Sequence, residues 1–224
     1  MSCALVFRIF ALGILTMGSA SGHANTSVTV DTEAYGWTED SASDTATGAA
    51  PAPSAARFGP FSVVARDRVE LSGSIESDTP AQFASMLRAF PAIRQIDMIE
   101  CPGTGDDEAN LALARMVRKA GIATFVPNNG SVRSGGVELF LAGAKRSAAP
   151  DAEFAVHSWL DEDGLEPDDY ADSDPVNREY VNYYREMGMS DEKAKAFYAM
   201  TNSVPHDDAL YLKPRDIAAY IPFD

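Results

Sequence analysis

Between Phe61 and Val126 short apolar runs alternate with helix-period segments, and each helix hands the chain to another apolar run. Phe61–Ala65 and Arg68–Ile75 read as strands on either side of a charged turn, and Asp78 or Thr79 caps a helix through Phe90. Ile93–Ile99 is the next strand, Cys101–Gly105 a tight loop, Asp106–Lys119 an amphipathic helix and Ile122–Val126 a further strand. The second helix carries acids at its start and Arg115, Arg118 and Lys119 near its end, the order its dipole favours. Strand, loop, helix, strand is the pattern of crossovers in a parallel sheet, so the fold class is α/β, and solenoid and sandwich architectures do not fit. After a turn at Pro127–Gly130, Ser134–Ala142 reads as a short apolar helix, and Ala148–Pro150 and Glu153–His157 as strand segments around a tight turn. The acid-, Gly- and Pro-rich run Asp161–Asp174 is expected to be a solvated loop without the ligand spacing of a calcium site. Helices follow at Val176–Met187 and, capped by Ser190, Asp191–Met200; Leu210–Leu212 is a last short strand, and Pro214 starts a final helical turn through Tyr220.

The chain has 224 residues, 46% of them apolar, enough for a sizeable core. Its net charge of −15, from 33 acids against 18 Lys and Arg, repels phosphate backbones and argues against nucleic acid or an anionic membrane as the partner. Residues 1–24 have the form of a secretory signal peptide: Arg8, the uncharged run Ile9–Met17, and Gly22 and Ala24 before a cleavage site. Removal of that segment leaves a periplasmic or secreted protein with no stable transmembrane segment. It also takes away Cys3 and His23, so Cys101 has no intrachain partner, and His157 and His206 are the remaining histidines. Without HExxH or CxxC motifs, no metal or other cofactor is expected. Residues 25–59 are rich in Ser, Thr, Ala, Asp, Gly and Pro and read as a flexible leader, with the folded domain at 60–224.

Three loops carry residues suited to chemistry: CPGTG at 101–105, GSVRSGG at 130–136, and AVHSW at 155–159. Parallel sheets collect ligands beyond the carboxyl ends of their strands, which brings the first two loops together. Ser134 at a helix start suits a nucleophile. His157 suits its base, because imidazole takes and returns a proton near neutral pH. The amides of Gly103 and Gly135 suit a developing oxyanion. Each residue also has a plain structural role open to it: Ser134 as a helix cap, His157 as a satisfied strand-end side chain, the glycines as turn formers. Gly135 and Gly136 are poor helix formers, and their presence asks for a reason such as close backbone approach to a ligand. The GxSxG motif does not occur, so Ser131 and Ser134 are not expected on the usual nucleophile elbow.

Three stretches, Ile99–Gly105, Ser134–Gly143 followed by Lys145 and Arg146, and Ala149–His157, resemble in order and spacing the ClpP/crotonase superfamily, especially periplasmic ClpP-like serine peptidases. The resemblance spans about Phe61 to Tyr220 and implies a core of repeated β-β-α units with C-terminal helices, frequent homo-oligomerisation, and a peptide or protein substrate. It implies Ser134 as nucleophile, His157 as base, and Gly103 and Gly135 as oxyanion donors. Thr104 stands where the family has a second glycine. The family's aspartate falls near Val204 or Pro205, where this chain has no carboxylate, leaving Asn202, Asp207 and Asp208 as candidates to orient His157. The functional expectation is therefore a serine hydrolase, a peptidase by resemblance. The alternative is a noncatalytic periplasmic binding or assembly protein with the same fold. A crotonase-like acyl-thioester enzyme is disfavoured by the export signal and by the absence of a distinct basic cleft.

Overall fold

The computed structural model describes residues 56–224; the signal reading (1–24) and nearly all of the leader (25–59) lie outside the described residues. The described end of the leader is already part of the sheet. Strand β1 (Arg57–Phe58) pairs antiparallel with β2 (Phe61–Val63), so the folded body begins before residue 60.

Strand β3 (Arg68–Ser72) continues antiparallel from β2, and helix α1 (Thr79–Ala89) leads to β4 (Gln95–Cys101), which lies parallel to β3. The β3–β4 register shifts between Leu71 and Ser72, leaving Ile99 as an extra residue on β4. Helix α2 (Asp107–Lys119) follows, capped by the Asp106 carboxylate on the Ala109 amide. Next come β5 (Ala123–Val126), β6 (Ser131–Arg133), α3 (Gly135–Leu141), β7 (Arg146–Ala148) and β8 (Glu153–Val156). The chain closes with α4 (Pro175–Glu186), α5 (Asp191–Thr201), β9 (Leu210–Leu212) and α6 (Pro214–Ala218). Strand–strand–helix recurs as β2-β3-α1, β5-β6-α3 and β7-β8-α4, with a one-turn 3₁₀ helix at Pro167–Asp169 inside the last connection. Among the described residues no helix is long and apolar enough to cross a membrane.

Strand β4 organises the sheet because it pairs with two neighbours on the same side in succession. Its first half, Gln95–Asp97, runs parallel to β5, which in turn pairs with β7. Its last residues, Glu100 and Cys101, pair with Ser131 and Val132 of β6. From there the ladder continues parallel to β8 and ends antiparallel at β9. Three adjacent parallel strands, β4, β6 and β8, therefore deliver their carboxyl ends side by side. The core beneath them is apolar and fully buried: Ile96, Met98, Val132, Phe154, Phe140 and Leu139 are 0% exposed, and Phe140 packs on Phe154 at 5.0 Å between ring centroids.

Two segments differ from the sequence expectation. Ser131–Arg133 is a strand, which three residues beside a turn do not announce, and the strand expected at Ala148–Pro150 lies at Arg146–Ala148 instead. In the second case the chain needs Ala149 and Pro150 for the turn into β8, closed by the Ala152 amide on the Ala149 carbonyl at 3.0 Å.

Candidate functional site

The three loops singled out by chemistry follow β4, β6 and β8 and meet at one edge. Ser134 is the single residue between β6 and α3. Its backbone is at φ 49°, ψ −133°, one of two non-glycine residues with positive φ among the described residues. A side chain in that region strains the chain by about 1–3 kcal/mol, so the surrounding structure has to hold it there. It does: the Ser134 amide donates to the Ala155 carbonyl at 2.9 Å, and its carbonyl accepts from the Val137 amide at 2.9 Å. This sharp strand-to-helix turn has the form of a nucleophile elbow, contrary to what the missing GxSxG motif suggested. Ser134 also makes no side-chain cap on α3, which removes the helix-cap role.

The glycines around Ser134 are required by close packing between loops. A Cβ on Gly135 would sit 2.5 Å from Thr104 Cγ2 and 2.9 Å from Asn110 Nδ2, and one on Gly136 would sit 2.7 Å from Cys101 Sγ. Gly103 adopts φ 133°, and a Cβ there would lie 2.9 Å from the Ser134 Cβ. The first turn of α3 is thus pressed against the loop after β4, with Asn110 Nδ2 donating to the Gly135 carbonyl at 2.7 Å. The Gly135 amide, at the open end of α3, makes no backbone hydrogen bond among the described residues. Gly103 lies against Ser134, but its amide faces the Cys101 sulfur, whose thiol burial pushes up to about 12. One residue on, the Thr104 amide has no backbone partner among the described residues: the flanking Gly103 carbonyl and Gly105 amide both bond to Ile75 at 3.0 Å, so Thr104 turns its own amide to the opposite side. Thr104, which stands in place of the resembled family's second glycine, thus keeps an amide without a backbone partner on the same loop.

His157 follows β8 directly and lines the same cleft as Ser134, a cavity of about 530 Å³ that also includes Thr104, Gly135 and Asn202. No hydrogen bond joins the Ser134 and His157 side chains among the described residues. His157 Nδ1 lies 2.8 Å from the Ser158 carbonyl oxygen, and His206 Nδ1 lies 3.0 Å from that same oxygen. A carbonyl only accepts, so both imidazoles donate to it from Nδ1, and Nε2 is not used in that contact. The two rings meet edge to face at 4.7 Å. None of the three candidates read from sequence bonds to His157. Asn202 Nδ2 donates to the Tyr198 carbonyl at 2.8 Å, Asp208 Oδ1 accepts from the Ala209 amide at 2.7 Å, and Asp207 is exposed. The orienting group is a backbone carbonyl, which residue identity cannot announce.

Sequence reasoning also missed the floor of the cleft. Glu138, one turn along α3 from Gly135, is 7% exposed and accepts from the Tyr184 hydroxyl at 2.6 Å. Burial pushes its carboxyl up to about 7, against the lowering effect of that hydrogen bond. Burial likewise raises Tyr180, Tyr183 and Tyr184, keeping them neutral hydroxyls. Glu138 stands on the face of α3 that Gly135 begins, the i, i+3 signal that would have located it. The start of the 161–174 loop borders the cleft through Asp161 and Glu162. A hydrogen bond from the Tyr170 hydroxyl holds the Asp161 carboxyl below the usual carboxylate range. Among the described residues no three His, Cys, Asp or Glu side chains converge as a metal site.

No protein-family model and no curated protein matches the chain. Solved structures similar to it do exist. A mutant of the membrane-bound stomatin-specific protease 1510-N in complex with a substrate peptide is 16% identical, with a TM-score of 0.46, over 70% of this chain and 72% of that one. A ClpP1 mutant from Listeria monocytogenes is 18% identical, with a TM-score of 0.48, over 69% of this chain and 87% of that one. The 1510-N protease specific for a stomatin homologue from Pyrococcus horikoshii is 15% identical, with a TM-score of 0.45, over 69% of each chain. The chain resembles ClpP-like folds.

Proposed function

We propose that the chain is an exported serine hydrolase that cleaves peptide bonds, working in the periplasm or outside the cell on a peptide or protein substrate, and assembling as a homo-oligomer. The observation that carries this reading is Ser134 itself. It sits at φ 49° on a strand-to-helix turn, with its hydroxyl unused as a cap, and lines one cleft with His157. Strain of this kind at an uncommitted polar residue marks a position maintained for chemistry.

In this reading Ser134 Oγ attacks the scissile carbonyl as its proton passes to His157 Nε2, the nitrogen left free by the Nδ1 bond to Ser158. The oxyanion is held by the Gly135 amide and by the loop after β4, through Gly103 or its neighbour Thr104. His157 then gives its proton to the leaving amine, and water clears the acyl group by the same route reversed. Closure on substrate brings the Ser134 hydroxyl and the imidazole into hydrogen-bond reach.

The second reading, a noncatalytic periplasmic binding or assembly protein, draws on one observation: His157 is oriented by a carbonyl and not by a carboxylate, so its imidazolium lacks a full countercharge. Peptide hydrolysis decides between them. Turnover that falls by about 10³-fold or more in both Ser134→Ala and His157→Ala supports the hydrolase. Absence of turnover across a broad peptide mixture, with the folded wild-type chain, supports the binding protein.

A further inference from the structure

The floor and one wall of the cleft carry acceptors and no cation. Asp106, Asp107, Glu138, Asp161 and Glu162 line it, and among the described residues no Lys or Arg does. A group of acids alone would define nothing, since a solvated acidic face has the same composition. A second feature is independent of them. Asn110 lines the same cleft, is 1% exposed, and spends its amide nitrogen on the Gly135 carbonyl at 2.7 Å. Its Oδ1 is buried without a hydrogen-bond partner among the described residues. A carbonyl left unpaired in a buried position is unfavourable, so a donor arriving from a ligand would satisfy it.

Two hydroxyls that line the cleft are already committed: Tyr184 donates to Glu138 at 2.6 Å and Tyr198 to Asn177 at 2.5 Å. What the floor still offers is acceptor capacity, beside the Tyr180 and Tyr184 side chains that also line the cleft. That combination fits a group rich in N–H donors and positively charged, and it fits neither a carboxylate nor an aliphatic chain. Its position is also set. Asn110 touches Gly135, the residue after the nucleophile, and Glu138 lies one helical turn further on.

We propose that this floor is a specificity pocket for a basic side chain, lysine or arginine, adjoining the bond that Ser134 attacks. The inference deepens the hydrolase reading and rests on it for the peptide nature of the ligand. The side chain enters past Thr104, sets one N–H on Asn110 Oδ1 and others on Glu138 and Asp107, and lies against Tyr180 and Tyr184.

Binding tests this without turnover. A peptide series identical except for Lys, Arg, norleucine or Glu at one position is titrated by calorimetry against the full-chain Ser134→Ala protein. The Lys or Arg peptide is expected to bind about tenfold or more tighter than the norleucine peptide, the worth of one desolvated charge-assisted hydrogen bond, and the Glu peptide weakest. Comparison of the Lys and Arg arms separates an ammonium from a guanidinium pocket. Adding Glu138→Gln, or the exposed Asp107→Asn should the buried change impair folding, narrows the gap between the basic and norleucine peptides. Norleucine binding as tightly as both basic peptides overturns the inference, as does failure of either basic peptide to bind at millimolar concentration. Labelling of the wild-type serine by a fluorophosphonate reports separately on the parent reading. A chain that labels without discriminating charge keeps the hydrolase and loses the pocket; one that selects basic peptides without labelling does the reverse.

Discussion

At Ser134 a side chain is held in a backbone region that a glycine would occupy freely, and the physical meaning of that choice can be measured. Replacing it with glycine releases the strain, whereas replacing it with alanine retains a Cβ at φ 49° and removes only the hydroxyl. Ser134→Gly is therefore expected to exceed Ser134→Ala in stability by about 1 kcal/mol in urea unfolding, and both are expected to be inactive. Equal stabilities would mean that the turn is relaxed. Glu138 makes a second prediction at this scale. Its carboxyl is pushed from an ordinary value of 4.5 up to about 7 by burial, so the folded state holds a proton that the unfolded chain releases. Its contribution to stability is whole below about pH 4.5 and is lost as pH rises to about 7, a decline of about 3 kcal/mol. Glu138→Gln keeps an acceptor for Tyr184 and cannot ionise. The difference in unfolding free energy between wild type and this variant, followed across that range, should move in the variant's favour as pH rises, and a constant difference contradicts the assignment.

Among the elements, α3 decides whether the site exists. It is short and starts with two glycines, so propensity alone would not keep it helical. Tertiary anchors at its carboxyl end do: the buried Arg146 guanidinium donates from Nη1 to the carbonyls of Leu141 and Gly143, at 2.9 and 3.1 Å, and reaches Met187 at the end of α4 at 3.3 Å, while Arg118 donates to Gly143 at 2.8 Å. Arg146→Met takes the donor from the Leu141 carbonyl, leaves Gly143 with Arg118 alone, and is expected to destabilise the fold by about 2–4 kcal/mol in urea unfolding, with loss of peptide turnover. A shift below about 0.5 kcal/mol would show that α3 is held by packing alone. Helices α2, α4 and α5 announce themselves through apolar spacing, and α5 also through its cap at Ser190, whose side chain accepts from the Lys193 amide; the caps at Asp106 and Asp174 emerge only in the structure. Strand β6 does not, because three residues carry too little alternation to be told from the turn before them. The elbow at Ser134 depends on β6, so the missing strand and the unexpected backbone of Ser134 are one omission. The orienting group of His157 was illegible for another reason: it is a main-chain carbonyl, which every residue possesses.

Across the whole molecule, three parallel strands present their loops along one edge, and the charge follows the same polarity. Acids gather around the cleft in a chain that carries −15 overall, a field that favours the approach of a cation over that of an anion. Long-range attraction of this kind fades with salt, whereas the geometry of Ser134, Gly135 and His157 is indifferent to it. The arrangement stands or falls on a hydroxyl made nucleophilic by its surroundings. The most direct measurement is the site of covalent modification: the folded chain is treated with a fluorophosphonate, digested, and the adduct mapped by mass spectrometry, alongside Ser134→Ala and His157→Ala. A single adduct on Ser134 is expected, absent from the first variant and slowed by about 10³-fold or more in the second. An adduct on another residue, or labelling of Ser134 at an unchanged rate without His157, would contradict the hydrolase reading.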